Sequence, residues 1–332
     1  MRVLLVTTWN VACGVSEHSA ELKAAVEAAD PAITITPVAE WLDPALVLIS
    51  PLSSQPHVIH LNYQAGLLSR WTPDEIRRVR ALGYPVVVTY HDTGVPNSDH
   101  CKAIVEAADV TIVHEPADDL PAEKIRYWRM GVPGWARYPM LYDTAHDSWC
   151  GDRPILGSIG FPFPWKNFDL LAEITGRLDW ALLLIAPTAT PEQIAGWRAR
   201  NPHLWVDDKF LPRDAALTRL AGCDATAFPY VCHNTGQSGA ILQGIAARKP
   251  VIAFRTCRQF RALLDTGLGM SAIRWASNVD DLRNALCTLP ITGRPDALTV
   301  ALAHQESWTA LGQKYAALYR EAAGEYLGSE KL

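Results

Sequence analysis

One rhythm in this chain restricts its fold more than any other feature. Short apolar runs rich in β-branched residues recur between longer amphipathic stretches, and after residue 152 the rhythm begins again. Alternation of this kind is the pattern of βαβ units and a parallel sheet. In the first half it predicts strands at Arg2–Thr8, Ile33–Thr36, Val58–Leu61, Pro85–Tyr90, Asp109–Val113 and Ile125–Trp128. The clearest helices between them are Ser16–Ala29 and Pro73–Leu82, the second with Thr72 as N-cap and Pro73 in the first helical position. The second half predicts strands at Ile155–Ile159, Ala181–Ala186, Leu204–Val206, Asp224–Phe228, Val251–Phe254 and Ala272–Arg274. Helices at Phe168–Leu178, Pro191–Asn201, Arg213–Ala221 and Gly239–Arg248 separate them. Gly131–Asp152 has no sustained periodicity and reads as the end of the first lobe and a linker.

The length of 332 residues exceeds what one core organises and favours two domains of about 150 residues each. We place them at 1–150 and 151–305, with 306–332 as a terminal helix carrying Trp308, Leu311, Tyr315, Leu318 and Tyr319 on one face. A net charge of −5 argues against a partner that must have many phosphates neutralised, so nucleic acid is not expected. The densest basic run, Arg77, Arg78 and Arg80, reads as a solvated helix face near a C-terminal dipole. Seven cysteines are scattered, odd in number and never spaced as CxxC, which suggests free thiols in a reducing compartment. The N-terminus reads as a strand instead of a signal peptide. No apolar segment reaches the roughly 18 to 20 residues of a transmembrane helix. We therefore expect a soluble, cytoplasmic protein, with peripheral membrane contact left open.

Ligands of open parallel sheets gather at the carboxyl ends of the strands, and in a two-lobed chain those ends can face each other across a central cleft. After the first strand, Gly14 leads into a helix and permits close backbone approach, a weak signal alone. The absence of GxGxxG at this turn lowers the case for an NAD-dependent enzyme. His91 and Asp92 follow the fourth strand, where a histidine can bond a hydroxyl or move a proton, or be satisfied within its loop. His60 and His114 follow the same logic more weakly, and His60 reads as strand packing. In the second lobe, Gly157 and Gly160 suit a strand and turn with close backbone approach. Lys166, at the foot of the next helix, either pairs with a phosphate or covers Trp165 at the surface. The strongest constellation is the run from Gly236 through Ser238 and Gly239 into a helix, which offers backbone N–H groups and a positive dipole end to a phosphate. Its plain alternatives are an ordinary N-cap at Ser238 and an exposed Gln243.

These motifs resemble those of the GT-B glycosyltransferases, specifically the retaining, metal-independent glycosyltransferase family 4. The stretch from Thr235 to Ala253, TGQSGAILQGIAARKPVIA, follows that family's second-lobe signature without a gap. CGVSEHSAEL is similar to its first glycine-rich loop, GSIGFPFPWKNFDLLAEI to its second-lobe entry, and DKFLPRDAALTRLAGCDATAFP to the segment before the signature. Thr235 and Gln243 stand where the family has glutamates, and Phe161 where it commonly has an arginine.

The resemblance implies two Rossmann-like α/β lobes facing a cleft, with the last helix crossing back onto lobe one. It implies transfer of a sugar from a UDP- or GDP-linked donor to a hydroxyl acceptor, with no further cofactor and no metal. His91 and Lys166 become the catalytic candidates, with Lys166 on the diphosphate. Gly14, Gly160, Lys166, Thr235, Gly236, Gln237, Ser238, Gly239 and Gln243 become donor contacts, Thr235 at the sugar ring and Gln243 at the ribose. Trp9, Tyr63 and Asp92 are acceptor candidates, and Trp9, Tyr63 and Trp71 are candidates to stack on a sugar face, although aromatics more often serve the core. Arg213, His233 and Arg255 are candidates to replace the missing cation. The alternatives are a nucleotide-sugar-binding protein without transfer, an epimerase or phosphorylase of the same fold, and a DNA-modifying glycosyltransferase, the last disfavoured by the acidic balance.

Overall fold

Strands buried on both faces need helices on both sides, and the chain supplies them. The computed structural model describes residues 1–11, 13–39, 44, 55–64, 66–91, 99–115, 120–134, 149–231 and 237–329, with side chains to residue 324. Contacts divide the chain into two compact units. The first comprises Met1–Gly131, Asn234–Gln237 and Ser307–Leu332; the second comprises Val132–His233 and Ser238–Glu306.

The first unit carries β1 (Arg2–Thr7), β2 (Thr34–Ala39), β3 (Val58–Tyr63), β4 (Val86–Tyr90), β5 (Val110–Val113) and β6 (Ile125–Tyr127), all parallel, in the order β2-β1-β3-β4-β5-β6. Its helices include α1 (Gly14–Ala29), α2 (Pro73–Ala81) and α3 (Asp99–Ala107). Thr72 caps α2 as expected, its hydroxyl accepting from Glu75 N, with Pro73 opening the helix. β3 runs two residues beyond the predicted Leu61 and carries Asn62 fully buried. In a central parallel strand that placement demands polar partners.

The second unit carries β7 (Ile155–Ile159), β8 (Ala181–Ile185), β9 (Leu204–Asp207), β10 (Ala225–Phe228), β11 (Val251–Phe254) and β12 (Ile273–Ala276), again parallel, ordered β12-β11-β10-β7-β8-β9. Around them lie α4 (Phe168–Arg177), α5 (Pro191–Arg200), α6 (Arg213–Ala221), α7 (Gly239–Ala246), α8 (Arg261–Leu264), α9 (Gly267–Ala272), α10 (Val279–Cys287) and α11 (Ala297–Gln305). α5 opens with a reciprocal capping box between Thr190 and Gln193. α7 stops at Ala246, short of the predicted Arg248, because Arg248 turns left-handed (φ 58°) to enter β11.

The last helix, α12 (Trp308–Ser329), belongs to the first unit. Its Trp308, Leu311, Tyr315, Leu318 and Tyr319 join Val3, Leu5, Leu22 and Val26 in one core. Gly312 lets α12 approach α1 closely: a Cβ built there would lie 2.5 Å from the Ala25 carbonyl oxygen. Among the described residues no helix is long and apolar enough to cross a membrane.

Candidate functional site

In the second sheet the chain leaves β7 toward β8 on one side and returns for β10 on the other. Such a switch point opens a crevice beyond the carboxyl ends of the two strands, the usual ligand site of open α/β sheets. Gly160, directly after β7, takes φ 144°, a region that side chains other than glycine's rarely enter. A Cβ there would lie 2.5 Å from Lys166 Nζ. The short turn Pro164–Lys166 folds the lysine back so that it is only 6% exposed. Its ammonium donates to the Tyr230 hydroxyl at 3.1 Å, and Tyr230 donates to the Ile159 carbonyl at 2.9 Å. The ammonium also lies over the rings of Tyr230 and Trp165, 4.1 and 4.8 Å from their centroids. Burial, and to a lesser degree Cys257, pushes the Tyr230 hydroxyl well above its ordinary range, so it stays a neutral phenol. The result is a positive charge anchored beside the ends of β7 and β10.

Asn167, left-handed at φ 56°, donates from Nδ2 to the Pro229 carbonyl at 2.7 Å and ties the start of α4 to the loop after β10. Tyr230 in turn packs on Phe260, ring centroids 5.4 Å apart. The neighbouring Gln259 accepts a bond from Ser238 N at 3.4 Å. Lys166 and the start of α7 are thus linked through a continuous set of contacts. Ser238 is the N-cap of α7 but makes no side-chain cap bond, which corrects the plain alternative of an ordinary N-cap there. The space beside Gly239 is open, with nothing within 4 Å of a built Cβ. Gln243 Oε1, one turn into the helix, is buried without a hydrogen-bond partner, which corrects the exposed alternative. A lysine ammonium and an uncapped helix N-terminus in one unit are groups that can hold an anion.

The first sheet has its own switch point, between β1 and β3. A buried polar cluster fills it. Asn62 Nδ2 donates to Ser19 Oγ at 2.6 Å and to the Val15 carbonyl at 3.3 Å, and Thr7 and Ser19 share a hydroxyl bond of 2.5 Å. His91 Nε2 donates to Asn62 Oδ1 at 2.5 Å, and His114 Nδ1 donates to the Trp128 carbonyl at 2.8 Å. His18 packs edge-on to His91 and to Trp308, at 4.7 and 4.9 Å between centroids. Burial first, then the other imidazoles, lowers the pKa of His18 and of His91 well below the ordinary value. Burial lowers that of His114 to about 4, against the raising effect of its bond to Trp128. All three rings are neutral at pH 7, and the Nδ1 lone pair of His18 accepts from Asn62 Nδ2 at 3.2 Å.

The remaining sequence candidates divide cleanly. Tyr63 and Trp71 are corrected: they are 1% and 0% exposed, and Tyr63 stacks on Tyr90 while its hydroxyl meets His100 Nε2 at 2.8 Å, so neither ring offers a face to a ligand. His60 is core, as the sequence implies, held between Tyr319 and Thr89. Trp9 is half-buried, and Gly14 opens α1 behind Cys13, whose Sγ accepts from Ser16 N. Gln237 Oε1 accepts from Met130 N at 2.6 Å within the first unit. Arg213 pairs with Asp214, Arg255 is exposed, and Phe161 packs on Phe163. Asp92, His233, Thr235 and Gly236 lie outside the described residues. Sequence reasoning missed Tyr230, Asn62 and His18. The one signal for Asn62 was a polar residue inside an otherwise apolar strand, VIHLNY.

No protein-family model and no curated protein matches the chain. Its fold does match solved structures over nearly the whole length. HepE of Anabaena, crystallised with UDP and glucose, is 14% identical with a TM-score of 0.66, over 97% of this chain and 100% of that one. A glycosyltransferase of Rickettsia africae is 13% identical with a TM-score of 0.67, over 97% and 98%. The trehalose-6-phosphate synthase OtsA is 12% identical with a TM-score of 0.69, over 96% and 99%. The chain has the GT-B fold. In GT-B terms, the first unit is the N-terminal lobe with α12 added to it, and the second unit is the C-terminal lobe, which holds Lys166 and α7.

Proposed function

We propose that this GT-B protein is a glycosyltransferase of the family 4 type, moving a sugar from a UDP- or GDP-linked donor to a hydroxyl acceptor with retention of configuration. The observation that carries the reading is the Lys166 ammonium, anchored by Tyr230 at the switch point of the second sheet and linked to the uncapped start of α7. A diphosphate leaving group is stabilised there by the ammonium and by the N–H groups of the first turn of α7, from Gly239 on, without a metal. Gln243 Oε1 accepts a ribose hydroxyl, which satisfies its unpartnered oxygen. In the metal-free chain His91 offers its Nδ1 lone pair to a sugar hydroxyl, since Nε2 is committed to Asn62. The anomeric carbon loses its bond to the diphosphate oxygen and gains one to the acceptor oxygen on the same face. The acceptor proton passes to a donor phosphate oxygen. HepE, which binds UDP and glucose, supports this donor class.

A panel of nucleotide-sugars tested by thermal shift identifies the donor, since a ligand at a hundred times its Kd stabilises by about 2.7 kcal/mol. With that donor, Lys166→Ala lowers turnover at least about tenfold. Unchanged turnover in a folded Lys166→Ala protein would remove the diphosphate assignment. A donor-binding protein without transfer is the second reading, favoured by Thr235 and Gln243 where the family has acids and by Phe161 where it has a cation. It predicts donor binding by calorimetry with neither hydrolysis nor transfer.

A further inference from the structure

Hydrogen-bond accounting in the first unit leaves a remainder at its histidine cluster. His18 and His114 are 3% and 2% exposed, and Nε2 of each is buried with no hydrogen-bond partner. His91 spends Nε2 on Asn62, which leaves Nδ1 as its lone pair. One ring nitrogen from each of the three lies within 4.8 Å of the others. Unpartnered polar atoms this deep are costly unless something binds them.

We propose that His18, His91 and His114 form a site for one divalent transition-metal ion of the zinc class, ligated by three neutral imidazoles with a fourth position open. The second ring nitrogens already resemble the outer partners of a metal site. His91 donates its other N–H to the Asn62 carboxamide, and His114 donates its own to a backbone carbonyl, the arrangement that fixes ligating tautomers. His18 ligates through Nε2 in its Nδ1–H form; two donors would then face each other at the 3.2 Å contact with Asn62 Nδ2, so the ring turns away from Asn62, which keeps Ser19 and Val15 as acceptors. Tetrahedral zinc with bonds of about 2.0–2.1 Å sets its nitrogens about 3.4 Å apart, so the rings close by little more than an ångström. An all-imidazole donor set selects zinc, cobalt, nickel or copper over magnesium and calcium.

Tag-free protein, stripped with a chelator, tests the site without any sugar substrate, so the outcome is independent of the transfer reading. Calorimetric titration with zinc should give one ion per chain, and magnesium should give none. Cobalt should produce the visible bands of a tetrahedral nitrogen-ligated ion, with no thiolate charge-transfer band from the cysteines. His91→Ala and His114→Ala should each weaken zinc affinity by at least about a hundredfold, since losing even an outer partner of a ligand costs about ten- to a hundredfold. Their far-UV circular dichroism should stay unchanged, and His114→Gln replaces His114→Ala if the smaller side chain unfolds the unit. Absence of zinc binding, a thiolate cobalt spectrum, or full affinity in both folded variants overturns the proposal.

Discussion

Acid should weaken the first unit through His60, by an amount that its surroundings set. The imidazole is fully buried in β3, with Nδ1 against the Tyr319 hydroxyl and Nε2 2.9 Å from Thr89 Oγ1, which meets the Tyr315 hydroxyl. Burial lowers its pKa from 6.5 to about 3, and burial also pushes both neighbouring phenols up, so neither adds charge. Between those two values the unfolded chain binds a proton that the folded chain does not. The contribution is therefore complete above pH 6.5 and is lost as pH falls toward 3, at about 1.36 kcal/mol per pH unit. At pH 5 the loss is about 2 kcal/mol, a large share of the roughly 5–15 kcal/mol that holds a domain folded. His60→Gln keeps a donor and an acceptor but does not titrate. Urea unfolding of both proteins, followed by circular dichroism from pH 8 to pH 4.5, isolates the effect as a difference. That difference should be constant above pH 7 and change by about 2 kcal/mol in the variant's favour by pH 5. A difference that stays flat throughout would refute the argument.

Three substitutions probe the packing directly. Gly312→Ala places a Cβ 2.5 Å from the Ala25 carbonyl oxygen, and overpacking of about 1–3 kcal/mol should exceed the helix-propensity gain of about 1 kcal/mol, so the melting temperature falls. Asn201→Ala removes a fully buried amide that donates to Thr175 Oγ1 and the Trp180 carbonyl and accepts from His203 N; unfolding should be easier by about 1–3 kcal/mol. Gly160→Ala combines an unfavourable φ of 144° with displacement of the Lys166 ammonium. A loss of about 1–3 kcal/mol in stability should accompany weaker UDP binding by calorimetry, and unchanged UDP affinity would separate the glycine from the anion site.

Most of the sheet framework is readable without coordinates because a parallel strand advertises itself: ALLLI and VIAF are unbroken apolar runs, and both lie within the predicted ranges. α3 escapes that reading because its stripe of Cys101, Ile104 and Val105 spans barely two turns after a polar start. The site is less legible for a different reason. Lys166 can be singled out by its place after a strand, yet its burial depends on Tyr230, 64 positions away, and no local pattern reports that pairing. Tyr63 and Trp71 err in the opposite direction. An aromatic near a strand end suits a binding face or a core equally well, and only three-dimensional packing decides. The histidines are invisible as a group, since His18, His91 and His114 come from three separate elements that only the sheet order brings together.

The position of α12 has a consequence for how the chain is born on the ribosome. His60 and Thr89 emerge early, but the hydroxyls that satisfy them, on Tyr319 and Tyr315, lie 259 and 226 positions downstream. Until those residues have been translated, the face of the sheet around Val3 and Leu5 lacks part of its cover. The second unit, built almost wholly from residues 132–306, can close first, which inverts the usual N-terminal-first order of domain folding. A nascent chain halted before Trp308 would thus present an unfinished sheet to chaperones and proteases, even with the first 131 residues already made.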